Sequence, residues 1–527
     1  MEGFADSARG PALIPVMTAL PSHTGKTGTD DSAAADDGLP SLLLAPGPSV
    51  SLSSFDRGHG SPEMEPLVPV RFRIEDPGLT QPLRQIEQLV RRAGGRLWLV
   101  GGCVRDLMFE RQPRDLDLEV SGIPPGQLHG ILTEHFSVQF VGRAFGVFKL
   151  DGLPIDVSLP MRRPLDEASI PGLLHLADPE MEIDEALSRR DFTINAMAWD
   201  PDTLDFRDPF HGREDLKTGT LRHVSGRFAE DPLRVLRGMQ LAARYGLTAA
   251  PETLALCQSL TQDHLPSERI WEEWKKFLLQ GVTLSKGLQW LNDCGWIRFY
   301  PELAALRGCP QDPVWHPEGD VWTHTLHCLD WFARERTGQA EDDLTVGLGV
   351  LCHDFGKPAT TKEDFGRITS RGHEPEGEAP TRQFLARLTN QTGLADEVAV
   401  LVLCHLRPRA LYDGKASDSA VRRLARQVGR IDRLVRVARA DHAGRPPKPF
   451  DDFPAGEWLL RKARELDVEA QAPPPMVMGR HLLAMGISPG PEMGKHLDDC
   501  YEAQLDGLFT TLDEGLAYAR RIIHSAS

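Results

Sequence analysis

Residues 97–119 place an apolar run, a Gly-Gly pair and an Asp-x-Asp pair within one short stretch, and few folds accommodate that order. The run Leu97 to Val100 predicts a buried strand, and Gly101 and Gly102 let the backbone that follows come close to a polyphosphate, because no Cβ stands in the way. Arg105 adds positive charge beside the turn. In Asp115-Leu116-Asp117-Leu118 a period of two sends both carboxylates to one face and both leucines to the core. Paired carboxylates suit Mg²⁺, which takes oxygen ligands and completes its shell with water and substrate phosphate. Alone, the glycines read as an ordinary turn and the aspartates as a solvated strand face; together they suit metal-dependent nucleotidyl transfer.

The surrounding pattern predicts an α+β palm, a small mixed sheet with helices. Helix-like periodicity covers residues 81–93 and 125–135, and strand-like segments cover 97–100, 115–120, 145–150 and 155–159. Asp156 adds a carboxylate on the last strand, where a surface-facing position is the plainer reading. Residues 161–188 are Pro- and acid-rich with little periodicity, which predicts a long mobile loop. Beyond about residue 220 apolar positions recur at helical spacing, in 233–245, 270–279 and 284–294, and no further sheet is expected. Composition breaks near 310–319 and 446–454 then divide the chain. The expected order is a disordered tail over 1–78, a head over 79–222, an all-α neck over 223–309, a second helical domain over 310–446 and a helical tail over 447–527. The first segment is rich in Gly, Pro, Ser, Ala and Asp and is assigned neither fold nor chemistry.

Eight cysteines lie scattered without a C-x-x-C pair, which argues against a zinc ribbon or a disulfide framework and fits a reducing, cytoplasmic setting. No apolar run approaches membrane-spanning length and the N-terminus lacks a secretory pattern, so no membrane association is expected. A formal net charge of −17 is awkward for a nucleic-acid partner, because phosphate contacts require local cations. Seven arginines between Arg422 and Arg439 run against that balance. On one helix, Arg422, Arg426, Arg430, Arg433 and Arg436 would form a stripe, either a phosphate-tracking surface or a solvated face.

Three further segments carry chemistry. Arg189-Arg190-Asp191 precedes Asn195, with Phe192, Ile194 and Met197 placed to pack inward; by itself this is a charged helix start. Asp208 to Asp215 contains Gly212 and reads as a hinge. Glu230-Asp231-Pro232-Leu233-Arg234 opens a helix, and Asp231 with Arg234 offers an acceptor and a donor suited to the edge of a base. A helix cap with an ion pair explains the same residues. In order, these motifs resemble the bacterial and eukaryotic class of tRNA nucleotidyltransferases, the CCA-adding enzymes, and the related bacterial poly(A) polymerases, over roughly residues 80–300. The resemblance implies template-independent addition of CCA to the tRNA 3′ end from CTP and ATP. It implies Mg²⁺ on Asp115 and Asp117, and a nucleotide-binding set of Gly101, Gly102, Arg105, Arg190, Asp191, Asn195, Asp231, Arg234 and Arg237. Poly(A) addition and partial CC- or A-addition remain alternatives within the class. No obligate protein partner is evident.

Residues 324–441 carry His324, His353-Asp354, His373, His405 and Asp441, imidazoles and carboxylates that suit transition ions. Their pattern resembles the HD-superfamily phosphohydrolases. It implies a divalent metal such as Mn, Ni or Fe on His324, His353, Asp354 and Asp441, with His373 and His405 available for a second ion, and phosphatase or 2′,3′-cyclic phosphodiesterase activity. Two alternatives stand beside this: an HD domain kept only as an RNA-binding body, and an HD enzyme carrying an inert RNA-binding head. The glycines of residues 479–494 resemble the helical tail of the transferase family, and a plain helix–turn–helix unit explains them equally well.

Overall fold

The computed structural model describes residues 72–141, 147–161, 177–448 and 452–526. The fold is α+β, with one mixed sheet at the N-terminal side and helices through nearly all of the rest. The sheet strands are β1 (Arg96–Val100), β2 (Leu116–Ser121), β3 (Val138–Val141), β4 (Val147–Leu150), β5 (Ile155–Ser158), β6 (Ala198–Trp199) and β7 (Phe206–Arg207). Their order is β3-β4-β5-β2-β1-β6-β7, and β2 with β5 is the parallel pair among antiparallel neighbours. Leu116, Leu118 and Val120 are buried while Asp117 is exposed, so the alternation that predicts the strand also turns its carboxylate outward.

Against this sheet packs the helix Pro77–Arg92, which buries Leu79, Leu83, Ile86 and Val90 in the palm core. Each such side chain contributes at most about 1.5–3 kcal/mol. Asp76 caps the helix by accepting from the amide of Gly78, and Arg91 and Arg92 complement the dipole at its far end. Residues 77 and 78 therefore belong to the head and not to the tail; residues 1–71 lie outside the described residues. So do 145–146, at the start of an expected strand, and 162–176, within the expected loop. The end of that loop is structured: Met181, Ile183, Ala186 and Leu187 bury against Trp98 and Val100 around a short helix, Ile183–Leu187. Its apolar residues are too few to show a period.

The helices Leu233–Tyr245, Ser267–Gln280 and Leu284–Asp293 follow the predicted spans closely. The first and third cross tightly at Gly238, where a Cβ would stand 2.2 Å from the Trp290 ring. One apolar core runs from Phe192 to Val468, crossing the composition break at 310 without interruption. A separate small core, including Val477, Leu482, Met493 and Phe509, holds the C-terminal helices. No helix among the described residues is long and apolar enough to cross a membrane.

Two further expectations are corrected. Strands do occur after residue 220: β8 (Thr220–Leu221) pairs with β9 (Thr248–Ala249), and β10 (Lys362–Asp364) forms a hairpin with β11 (Arg367–Thr369). They are too short to print a period. The hairpin turns on Phe365 and Gly366, both at positive φ, as two-residue hairpin loops prefer. The arginine stripe is not one helical face. Gly429, at φ 68°, separates the helix Asp418–Val428 from Ile431–Ala443. Arg423 and Arg426 bind Glu502, Arg430 and Arg433 bind Asp342, Arg436 binds Asp343 and Arg439 binds Glu457. These cations join helices of an acidic chain to one another, which neither a phosphate track nor a solvated face anticipates.

Candidate active site and histidine cluster

A cavity of about 740 Å³ opens where the palm meets the helix Leu233–Tyr245. Gly101, Gly102, Arg105, Asp115, Asp117, Arg190, Asp191, Asn195 and Arg237 line it, so the structure gathers most of the nucleotide-binding set expected from sequence. Gly101 follows β1 at φ 75° and ψ −131°, a conformation that favours glycine. A Cβ there would stand 2.6 Å from Arg190 Nη1 and 3.2 Å from Asp117 Oδ2, so the missing side chain is what admits both groups. Asp117 faces Asp156 in register across the parallel β2–β5 pair, and Asp156 binds Lys149 at 2.9 Å. Loss of hydration raises the Asp117 pKa; Arg190 opposes this, and Asp115 and Asp156 add to it. Carboxylates clustered at one end of a strand pair, each disfavouring the other's charge, suit a divalent cation.

The remaining side chains are held by one another. Arg105, 4 % exposed, donates to Asn195 Oδ1 and to the Tyr245 hydroxyl, at 2.5 and 2.6 Å. Asn195 in turn donates to Asp191 Oδ1 at 3.0 Å, and Arg237 meets the other oxygen of Asp191 at 2.9 Å. Burial would raise the Asp191 pKa, but Arg237, Asn195 and the Phe192 amide outweigh it and the net shift is downward. Arg190 contacts the buried Glu119 at 3.4 Å.

Asp231 and Arg234 do not line the cavity. The helix begins only at Leu233, with Asp231 still extended before it. Asp231 binds Arg269 at 2.7 Å, while Arg234 donates to the carbonyls of Arg227 and Arg189 at 2.8 and 2.7 Å. The ion pair between the two that the plainer reading supposed is therefore replaced by these contacts. Sequence reasoning also missed Arg111, Arg114, Gln240, Arg244, Tyr245, Lys276 and Arg336, which complete the wall. Gln240 and Arg244 stand three and seven residues beyond Arg237, a same-face spacing that was available to read. Lys276 and Arg336 come from distant elements and carried no such signal. Together the lining holds eight Arg and Lys side chains against four Asp, a positive patch within a chain of net charge −17.

A second cavity, of about 460 Å³, lies at the histidine cluster. His324 comes from the helix Val321–Arg334, His353 and Asp354 follow the helix Ala340–Cys352, and Asp441 sits on Ile431–Ala443. His324 Nε2 is 3.1 Å from Asp441 and 3.9 Å from Asp354, and His353 Nε2 is 3.2 Å from Asp354. His373 Nε2 lies 3.5 Å from Asp354 and 3.2 Å from His405 Nε2. All six residues expected from sequence thus converge.

In His353, His373 and His405 the Nδ1 atom contacts the carbonyl three residues earlier, Val350, Ser370 or Val402. A ring whose Nδ1–H is used on a carbonyl presents a bare Nε2, the form that ligates metal. Buried His353 Nε2 makes no hydrogen bond and faces Asp354 Oδ2 at 3.2 Å, an imidazole lone pair and a carboxylate that suit a cation, and Lys357 pairs with the same Asp354 oxygen at 2.8 Å. Burial raises the Asp354 carboxyl, but His353 and Lys357 hold it well below the usual range. His405 falls to about 3 through burial and the neighbouring His353 and His373. Lys357, Arg371 and Arg445 ring the cavity with positive charge. Lys357 and Arg445, three and four residues beyond Asp354 and Asp441, were legible as helix neighbours; Glu318, which meets His324 Nδ1 at 2.8 Å, was not.

The Poly A polymerase head domain family matches residues 97–222. A multifunctional CCA protein of Laribacter hongkongensis (strain HLHK9) is 36% identical over 372 residues, covering 68% of this chain and 87% of that protein. The Bacillus stearothermophilus CCA-adding enzyme in complex with CTP shares the fold at a TM-score of 0.60 and 22% identity, covering 86% of this chain and 99% of that one. The Thermotoga maritima CCA-adding enzyme complexed with tRNA aligns at 0.51 and 18% identity, over 85% and 97% of the two chains. The relationship to the Laribacter protein covers most of that protein, and this chain belongs to the CCA-adding tRNA nucleotidyltransferase family.

Proposed function

We propose that the protein adds CCA to the 3′ end of tRNA, using CTP and ATP without a nucleic-acid template. The observation that carries this reading is the cavity in which Gly101, Asp117 and Arg190 meet within a few ångströms, ringed by cations suited to a triphosphate. Asp115 and Asp117 would hold divalent ions, Mg²⁺ in our reading, which would supply activation of the 3′-hydroxyl and charge stabilisation for the pyrophosphate. Arg190 and Arg105 bind the phosphates, Asn195 orients the sugar, and Asp191 with Arg237 keeps Asn195 and the neck helix in place. Asp231 and Arg234 read the base edge, for which Arg234 exchanges a backbone carbonyl for the base.

The experiment is to supply tRNA lacking its terminal CCA with each of the four triphosphates and Mg²⁺. Incorporation of C, C and then A supports the proposal. ATP used alone favours poly(A) addition, to which the head-domain match also points, and C-only or A-only products indicate a partial enzyme.

We further propose that the histidine cluster is an HD-type phosphohydrolase centre holding a divalent transition ion on His324, His353, Asp354 and Asp441. The buried His353 Nε2, which makes no hydrogen bond and faces Asp354 Oδ2 at 3.2 Å, supports it. Such a centre, adding water to a 2′,3′-cyclic phosphate with cleavage of the P–O3′ bond to leave a 2′-monophosphate, or to a terminal monophosphate with release of inorganic phosphate, leaves the free 3′-hydroxyl that the head extends. Release of phosphate from an RNA end, retained when the head is inactivated by Asp117→Ala, tests it and excludes the reading in which the cluster only binds RNA.

A further inference from the structure

Cys328 stands one helical turn beyond His324 on the helix Val321–Arg334, is wholly buried, and places Sγ 3.3 Å from His324 Nε2. The i,i+4 spacing puts the two side chains on one helix face. A ligand atom from each of His324, Cys328 and His353 lies within 4.8 Å of the others, and Cys328 is the one cysteine in any such group among the described residues. His353 is the independent indication that something binds there. Its Nε2, on a side chain 1 % exposed, makes no hydrogen bond and faces Asp354 Oδ2 at 3.2 Å, while its Nδ1 is used on the Val350 carbonyl. Gly444 completes the arrangement: a Cβ there would stand 2.3 Å from Cys328 Sγ, so its absence makes room for the sulfur, and its carbonyl contacts His324 Nδ1 at 3.0 Å. One residue both clears the space for the thiol and orients the imidazole.

We propose that Cys328 is a ligand of the metal held by the histidine cluster, and that this centre therefore takes a soft or borderline divalent ion, such as zinc, cobalt or ferrous iron, in preference to magnesium. Thiolate sulfur selects such ions, whereas magnesium demands oxygen. The inference rests on reading the cluster as a metal centre. The competing account is a thiol that only donates to His324 Nε2 in a dry core, and the two differ in whether sulfur bonds the ion.

The test is to strip full-length protein of metal with a chelator and titrate it with Co²⁺ alone, following near-ultraviolet absorption. Wild type gains a thiolate-to-cobalt charge-transfer band. Cys328→Ser and Cys328→Ala lose the band and bind cobalt more weakly, by about 10–100-fold. Cys352→Ser, altering another buried cysteine outside the cluster, keeps the band. Circular dichroism establishes that the variants are folded; if neither Cys328 variant folds, the wild-type spectrum decides. Cobalt binding without the band, or a band that survives Cys328→Ser, overturns the proposal and leaves the metal centre standing. No cobalt binding by the cluster, shown by identical titrations of wild type and His324→Ala, overturns both.

Discussion

Arg105 of the palm donates to the hydroxyl of Tyr245 on the neck helix at 2.6 Å and lies over its ring, 4.4 Å from the centroid. Tyr245 in turn donates to Asp106 at 2.9 Å and stacks on Phe109 at 5.5 Å. The arginine that we assign to the phosphates is thus aimed by a residue from another part of the fold. Tyr245→Phe keeps the stack and loses the hydrogen bonds, for a cost of about 1 kcal/mol. Tyr245→Ala also loses the cation–π and stacking contacts, for about 1–2 kcal/mol more. Urea unfolding should rank the variants in that order, and KM for CTP and ATP should rise together along the series. An unchanged KM in Tyr245→Ala would show that Arg105 needs no such support.

Gly101→Ala should act through two routes. The backbone at φ 75° and ψ −131° costs a side chain about 1–3 kcal/mol, and the new Cβ displaces Arg190 from beside Asp117. Incorporation of either nucleotide should fall at least about tenfold. Binding of tRNA, measured by gel shift, should hold. Full activity in this variant would count against close approach at Gly101 as the reason for the glycine.

The palm was readable because its signals are local. Leu116, Asp117 and Leu118 alternate as a half-buried strand must, and Gly101 and Gly102 sit where a turn needs them. Likewise His324, His353, Asp354 and Asp441 are metal-ligating residue types whose order resembles the HD pattern. What sequence could not convey was partner choice. The arginines from Arg422 to Arg439 looked free because their acids, Asp342, Asp343, Glu457 and Glu502, lie far away along the chain. Arg336 reaches the transferase cavity for the same reason, by bonding the carbonyls of Leu278 and Gly281 at the end of another helix. Long-range pairs leave no periodic trace.

Asp117→Ala should separate chemistry from binding. The side chain is accessible in the cavity and its nearest cation, Arg190, retains Glu119, so the fold should lose little. Nucleotide transfer should fall by at least about 10²–10³-fold in single-turnover assays, with tRNA affinity unchanged. Undiminished transfer refutes the assignment of this carboxylate.

The Asp191 carboxyl has its pKa lowered in the fold: burial works against this, and Arg237, Asn195 and the Phe192 amide prevail. An acid depressed in this way stabilises the fold above its unfolded value of about 3.9, and that contribution is lost as pH falls through the lower folded value. Asp191→Asn should therefore be less stable than wild type at neutral pH, by about 2 kcal/mol. The gap should narrow once pH drops below about 4. Denaturant unfolding at several pH values measures it, and a gap that is constant down to acid would mean that the charge is not what matters.

Arg234 supplies the sharpest test of selection. Its guanidinium joins the carbonyl of Arg189, next to the cavity residue Arg190, to the carbonyl of Arg227 ahead of the helix. Both bonds are to single acceptors that a base edge can replace, and Asp231 is near enough to Arg234 to influence its charge. Arg234→Ala should raise KM for CTP and ATP and also admit GTP and UTP, because a base that loses its donor is no longer distinguished from the others. Missing one such paired contact costs about 1–3 kcal/mol of discrimination, or roughly tenfold to a hundredfold in relative kcat/KM. If kcat/KM instead falls by the same factor for all four triphosphates, Arg234 is only a clamp between Arg189 and the neck. Base choice would then belong to Arg237, Gln240 and Arg244, which already line the cavity.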